Sequence, residues 1–390
     1  MRVVSAIGEL GGSETEEETE RRTGYLELFF DLVFVFAVTQ VTALILSDPS
    51  AGGFARAALV LFLVWWAWGG YAWMTNAIDV ESIGVRIGFL AAAAGSFFMA
   101  LAVPRAFETD GLWFAIPFLC VRVLHVALYT WGLRTDPAHQ AAIKQLAPWF
   151  LVAPTFVLVG GIVDDPARTW LWVVSIAVDV AGAMSVGRAG FRVSPSHFAE
   201  RYALFVLIAI GESIVAIGVG AERHARDLTF AVAVAVAFAG VAALWWAYFD
   251  FAARAAERAL HATPPERRGP FARDVFSLFH YPIVLGIIFF AVAAEKTLAH
   301  PDEPLPAAGR WALALGVVFY LAGGALGRYR WLRLIAWERV ACAAAVVLAV
   351  VLLSGLDALA LLAVVVAVLT ITIAVESARL RELRALVRAA

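Results

Sequence analysis

The chain has 390 residues, 62% of them hydrophobic and 16% charged, with a formal net charge of -2. That balance lies well off the norm for soluble globular chains; the net charge itself says nothing about nucleic acid, which is not expected as a partner. Windows of 18 or more apolar residues with at most one or two charges recur along it, so we expect an all-α, polytopic helical membrane protein. Lipid offers backbone groups no partners outside a helix or a closed barrel, and the short alternating segments of a barrel are absent.

In chain order, residues 1–24 carry GGSETEEETERR and no apolar stretch before a small-residue cleavage site. No signal peptide is expected there, and the acidic arm is expected to be a disordered cytoplasmic tail. About twelve spans follow, near 25–46, 54–76, 83–103, 112–133, 143–163, 168–188, 198–219, 228–250, 275–297, 310–327, 334–353 and 357–377. The longest connection, 251–274, contains ATPPERRGP and is expected to be a solvated loop. Residues 379–390 are expected to form a basic cytoplasmic tail. With both termini inside, 20 of the 30 Lys and Arg fall on the inner side and 7 on the opposite loops. This bias predicts cytoplasmic termini.

The first span, YLELFFDLVFVFAVTQVTALIL, organises the rest. Glu27 and Asp31 sit four apart and share a helical face, with Thr39 continuing it and Gln40 beside it. An Asp in hydrocarbon costs about 2.5–3.5 kcal/mol on insertion scales, so this stripe needs a partner or a wet cavity. Span 4 carries Arg122 and His125, and span 6 carries Asp179. Two arrangements fit these residues: a closed Arg122–Asp179 pair, or Arg122 answering Asp31 or Glu212 at a wet centre. Span 7 reads HFAERYALFVLIAIGESIVAIG from His197. Glu200 and Arg201 fit a rim pair, whereas Glu212 lies roughly 18 Å deeper at about 1.5 Å per residue, followed by Ser213. Glu212 is either a functional acid or a neutral one bonded within the bundle. Asp250 follows the Trp-Trp-Ala of WWAYFDF at the end of span 8.

WWAWGGY begins at Trp65 and WWAYFDF at Trp245, 180 residues later, while Asp31 and Glu212 are 181 apart. These offsets predict two parallel six-helix repeats, 25–190 and 191–378. The tryptophans at span ends, Trp65, Trp66 and Trp68 among them, fit an interfacial belt. Cys120 and Cys342 lie in apolar segments and are expected to be small buried side chains rather than a disulfide. No Walker loop, dinucleotide fingerprint, HExxH or GxSxG motif is present, and His280 has no second ligand at suitable spacing. We therefore expect no enzyme, no cofactor and no metal.

At ELFFDLVFVFAVTQ (Glu27 to Gln40) and HFAERYALFVLIAIGESIVAIG (His197 to Gly218) the chain resembles the bacterial low-temperature-requirement protein A family, LtrA. The resemblance extends over about residues 20–380 and puts Glu27, Phe30, Asp31, Thr39, Gln40, Glu200, Arg201, Glu212 and Ser213 on signature positions. It implies a polytopic protein of the bacterial inner membrane, linked by name to growth in the cold. Phe29-Phe30-Asp31 is also similar to a Phe-x-Asp element on the first helix of some potassium channels built from six-span units. The candidate intramembrane polar site is Glu27, Asp31, Thr39, Gln40, Arg122, His125, Asp179, Glu212, Ser213 and Asp250. The expected partners are the lipid bilayer and a small ion or solute. A transporter or channel for a small cation or proton-coupled solute is the first expectation. The alternative is a non-transporting scaffold or sensor supporting growth at low temperature.

Overall fold

A computed structural model describes residues 23–78, 80–134, 136–185, 193–221 and 227–389. The acidic arm expected to be disordered falls outside them except for its last two residues. Among the described residues the chain is helical, and strand pairing is limited to one isolated bridge, Pro304 with Asp357. The helices are α1 Tyr25–Ser47, α2 Ala51–Ala77, α3 Ile83–Ala102, α4 Gly111–Gly132, α5 Pro137–Ile162, α6 Ala167–Ser185, α7 Pro195–Ala221, α8 Leu228–Ala247, α9 Ala253–His261, α10 Pro265–Ala272, α11 His280–Ala299, α12 Ala307–Leu332, α13 Trp337–Leu352, α14 Ala358–Arg379 and α15 Arg381–Ala389. A 3₁₀ turn, Val103–Arg105, extends α3, and π-helical turns at Tyr248–Ala252 and Arg273–Leu278 lead into α9 and out of α10.

Eleven of the expected spans form helical segments long and apolar enough to cross a bilayer. The chain is an integral membrane protein of the polytopic helical class. The twelfth expected span, 334–353, becomes α13, which has 16 residues. That is roughly 24 Å of helix at about 1.5 Å per residue, short of a hydrocarbon core of about 30 Å. Arg333 takes a left-handed φ of 57° and ends α12, so the residues up to Ala336 turn the chain instead of lengthening α13.

The packing divides into two compact units. The first holds the described part of Arg22–Arg201 together with Pro264–Arg273; the second holds Tyr202–Thr263 and the described part of Asp274–Ala390. In the first unit α1 packs on α2 and α3, α3 on α4, α4 on α5, α5 on α6, and α2 reaches both α4 and α6. Its centre is aromatic: the Phe30 ring lies 4.8 Å from Tyr71 and 4.7 Å from Phe89. In the second unit α11 packs on α12, α12 on α13, α13 on α14, and α8 on both α14 and α11. The α11–α12 contact depends on two glycines. A Cβ on Gly286 would stand 2.5 Å from the Gly316 carbonyl oxygen, so only hydrogen there lets the backbones approach so closely.

Three expectations are corrected here, those for the 251–274 connection, the Trp65–Trp68 belt and Cys120. Residues 251–274 are not an open loop. ARAAERALH places Ala255, Ala259 and Leu260 on one buried strip of α9, and Pro265 occupies the first turn of α10, where its missing N–H costs nothing. The basic C-terminal segment folds into α15, whose Val387 and Leu383 pack with Phe251 and Ala255. Trp65, Trp66 and Trp68 are buried inside the first unit instead of forming a belt, while Trp113, Trp170, Trp245 and Trp246 are exposed as a belt requires. Cys342 is buried as expected, but Cys120 is exposed on α4; both are free thiols.

Candidate functional site

The first turns of α1 and α7 carry matching polar words. Glu27 and Asp31 are four apart on α1, and His197 and Arg201 are four apart on α7, so each pair stacks on one face of its helix. The two words meet in register, Glu27 with His197 and Asp31 with Arg201, each across 170 residues of sequence. Equal spacing in the same order means that the two helices run in the same direction at this point. All four side chains are buried.

The geometry is tight around Asp31. Its Oδ1 accepts from Arg201 Nη2 at 2.9 Å and from Trp68 Nε1 at 2.8 Å. Glu27 Oε1 stands 3.1 Å from His197 Nε2 and 3.9 Å from Arg201 Nη1, while its Oε2 accepts from the Gly24 backbone N–H at 2.8 Å. That last bond caps α1, and the positive end of the helix dipole favours a carboxylate there. Arg201 also lies over the Trp68 ring, 5.7 Å from its centre. Two carboxylate oxygens, Glu27 Oε1 and Asp31 Oδ2, have no hydrogen-bond partner and are shut off from solvent.

Helix α2 is the wall behind this cluster. Trp68 serves Asp31, the Thr75 hydroxyl adds a polar contact to Glu27, and Asn76 holds His197. The Asn76 Oδ1 accepts from the Ser194 backbone N–H at 2.8 Å, and its Nδ2 donates to the Ser194 carbonyl at 3.3 Å and faces His197 Nδ1 at 3.1 Å. At the rim, the Thr23 hydroxyl and backbone N–H both donate to Glu200. Asp31 is six residues from the start of α1, about 9 Å along the axis, so the cluster occupies one end of the spans.

A second buried charge lies deeper in the same unit. Arg122 forms an ion pair with Asp179, with the Trp66 indole close by and the Phe150 ring 4.7 Å from the guanidinium. Arg122 is eleven residues into α4, roughly 17 Å along the axis, near mid-membrane. His125 packs flat against Gly70, where a Cβ would stand 3.1 Å from the ring. Neither ring nitrogen makes a hydrogen bond of good geometry, and the Gly70 backbone lies close to the ring.

The other candidate residues fall elsewhere. Thr39 returns its hydroxyl to the Val35 carbonyl on its own helix, and Gln40 is half-buried. Glu212 and Ser213 are buried in the second unit, where Ser213 donates to the Ile287 carbonyl at 3.5 Å. Glu212 lies near enough to Glu295 for their charges to interact. Asp250 sits in the π-helical turn and pairs with Arg384 of α15.

The chain matches the family described as Bacterial low temperature requirement A protein (LtrA) over residues 22–374. It belongs to that family. A relative in Rhizobium meliloti (strain 1021), itself an uncharacterized protein, is 33% identical over 324 residues, which is 79% of this chain and 77% of the relative. No solved structure matches the chain. The residues that the resemblance placed on LtrA signature positions include both α1 acids and Arg201.

Arg201 is not the rim residue the sequence suggested, and Trp68 is not part of a belt. His197, Thr75 and Asn76 were not marked at all. For two of these a signal existed: the H-x-x-x-R of α7 repeats the spacing of the E-x-x-x-D of α1, with opposite charge at its second position. For Asn76 there was none.

Proposed function

We propose that this LtrA protein moves a proton or a small cation across the membrane, and that the Glu27–Asp31–His197–Arg201 cluster is where the charge loads. The observation that supports this reading is the charge balance. With both acids ionised, two carboxylates face one guanidinium in a space closed to solvent, and one oxygen of each acid is unsatisfied. A buried charge without a partner is costly, so the site favours uptake of one positive charge. Its place at the ends of two spans suits a mouth that exchanges with one face of the membrane. The excess of Lys and Arg on that side supports a cytoplasmic mouth and an inner-membrane orientation with cytoplasmic termini, an arrangement in which the short α13 also crosses the bilayer as a twelfth span.

The suggested duplication belongs to the same reading. Similar neighbour patterns within each unit support it: α3–α4, α4–α5, α5–α6 and α2–α6 correspond to α11–α12, α12–α13, α13–α14 and α8–α14. Glu212 is then the second unit's counterpart to Asp31.

The test is flux through purified protein in liposomes, under a proton gradient in one series and a potassium or sodium gradient in another. Wild type is expected to dissipate one of them, and Glu27→Gln to slow it at least about tenfold. A protein that is electrically silent under every gradient, with Glu27→Gln lowering only its abundance, would favour the scaffold or sensor reading. The closed Arg122–Asp179 pair, which needs no ion to complete it, is the feature that supports that second reading.

A further inference from the structure

His197 has two nitrogens in two different settings, and Asn76 decides which one carries the proton. The Ser194 backbone N–H can only donate, so the atom of Asn76 that it meets at 2.8 Å is the amide oxygen. The other end of the amide is therefore the NH₂, which donates to the Ser194 carbonyl and points at His197 Nδ1 from 3.1 Å. Turning the amide over would set donor against donor and acceptor against acceptor, so its orientation is fixed by backbone. A nitrogen that faces an NH₂ must present a lone pair. His197 Nδ1 is bare, its proton is on Nε2, and that N–H faces Glu27.

We propose that Asn76 holds His197 as a neutral Nε2–H donor, so that the Glu27–Asp31 pair alone takes up the single positive charge the cluster lacks. Without that hold, His197 is the natural place for a proton to settle: it lies 3.1 Å from a carboxylate and is buried with it. A second proton would have to sit on Nδ1, against the Asn76 NH₂. The remaining groups on the packed elements do not compete. From α2 come the neutral Trp68 and Thr75; from α7 come Arg201, already bonded to Asp31, and Glu200, bonded to Thr23. Arg86 of α3 is paired with Glu81. Among the described atoms of the cluster, Glu27 Oε1 and Asp31 Oδ2 are the acceptors left open, one helical turn apart. Asn76 is thus a positioning residue: it makes no contact with the load but decides which side chain receives it.

The load is a single positive charge, either a proton or an alkali cation, and its assignment rests on the transport reading. The tautomer does not, so the two are tested separately. Full-length protein with ¹⁵N-labelled histidine in lipid bilayers reports the ring protonation, and His197→Gln identifies its signal among the seven histidines. Between about pH 5 and pH 8, the range in which an ordinary histidine titrates, wild-type His197 is expected to keep one bare nitrogen, Nδ1, and one protonated nitrogen, Nε2. In Asn76→Asp, whose carboxylate accepts where the amide donated, both nitrogens are expected to carry protons over at least part of that range. A wild-type His197 protonated at Nδ1, singly or together with Nε2, would overturn the proposal without need of any variant. Infrared difference spectra of the same samples report the load. A proton gives a protonated-carboxyl band on acidification, and an alkali cation shifts the carboxylate bands on addition of potassium or sodium at fixed pH. Either response is expected to vanish in Asp31→Asn. Carboxyl bands that respond to neither would overturn the assignment of the load and leave the tautomer standing. Liposomes that show no flux while these bands respond would count against transport alone.

Discussion

Trp68 and Tyr248 close the same four-residue word, WWAW in the first unit and WWAY in the second, and they do different chemistry. The Trp68 indole donates to a buried carboxylate that is also bound by Arg201. The Tyr248 hydroxyl donates to His280 Nε2 at 2.8 Å, and His280 Nδ1 in turn donates to the Val275 carbonyl at 2.8 Å. That chain is neutral throughout. The contrast extends through both units. The first buries Glu27, Asp31, Arg201, Arg122, Asp179 and Arg168, the last held by backbone carbonyls. The second also buries charge, in Glu212 and in Arg339 paired with Glu376, but that pair lies near helix ends, and elsewhere its helices bury hydroxyls and an imidazole, with Tyr202 on Ser277 and Tyr320 on the Leu244 carbonyl. Neutral hydrogen bonds in a bundle hold helices together at little risk. Buried charges are dearer and are retained where something must bind them or pass them on.

This difference predicts how each unit responds to injury. The largest effect is expected from Asp179→Leu, which leaves Arg122 charged and alone near mid-membrane. Thermal unfolding in detergent should show a loss of about 3–5 kcal/mol, and Arg122→Leu on the same background should restore most of it. If the double variant is as unstable as the single one, the pair is not what holds α4 to α6. Trp68→Phe removes a donor to a charged acceptor and should cost about 1.5–3 kcal/mol, whereas Tyr248→Phe removes a neutral bond and should cost about 0.5–1.5 kcal/mol. Equal losses at the two positions would erase the distinction between the units. The smallest effect is expected at the C-terminus. Arg384→Ala breaks the pair with Asp250 on the π-helical turn and should cost up to about 1 kcal/mol, seen as faster amide exchange confined to α15.

Much of the fold was legible because its cause is local. A run of about twenty apolar residues has to be a helix in lipid, whatever surrounds it, and eleven spans followed from that alone. Where the forecast went wrong, the missing information was tertiary. ARAAERALH looked like loop because its charges were counted and its buried alanine strip was not. The length of α13 was set by the left-handed turn at Arg333, which no hydropathy window registers. At the site, Glu27 and Asp31 stood out because two acids in an apolar helix demand an explanation. Their partners did not, since a His and an Arg at a span end are as common at a rim as in a core. Asn76 was silent for a simpler reason: its role depends on meeting the Ser194 backbone 118 residues away, and an amide in a last helical turn carries no mark of that.

The central claim is that the Glu27–Asp31–His197–Arg201 cluster of the first unit holds one negative charge too many, and that this charge is what the protein works with. Comparing flux in liposomes between wild type and Asp31→Asn, at matched amounts of folded protein, tests it most directly. Asparagine keeps the shape of the side chain and removes its charge, which brings the cluster to neutrality. Wild-type flux reduced at least about tenfold by that one change is the expected result; equal flux in the two proteins would contradict it.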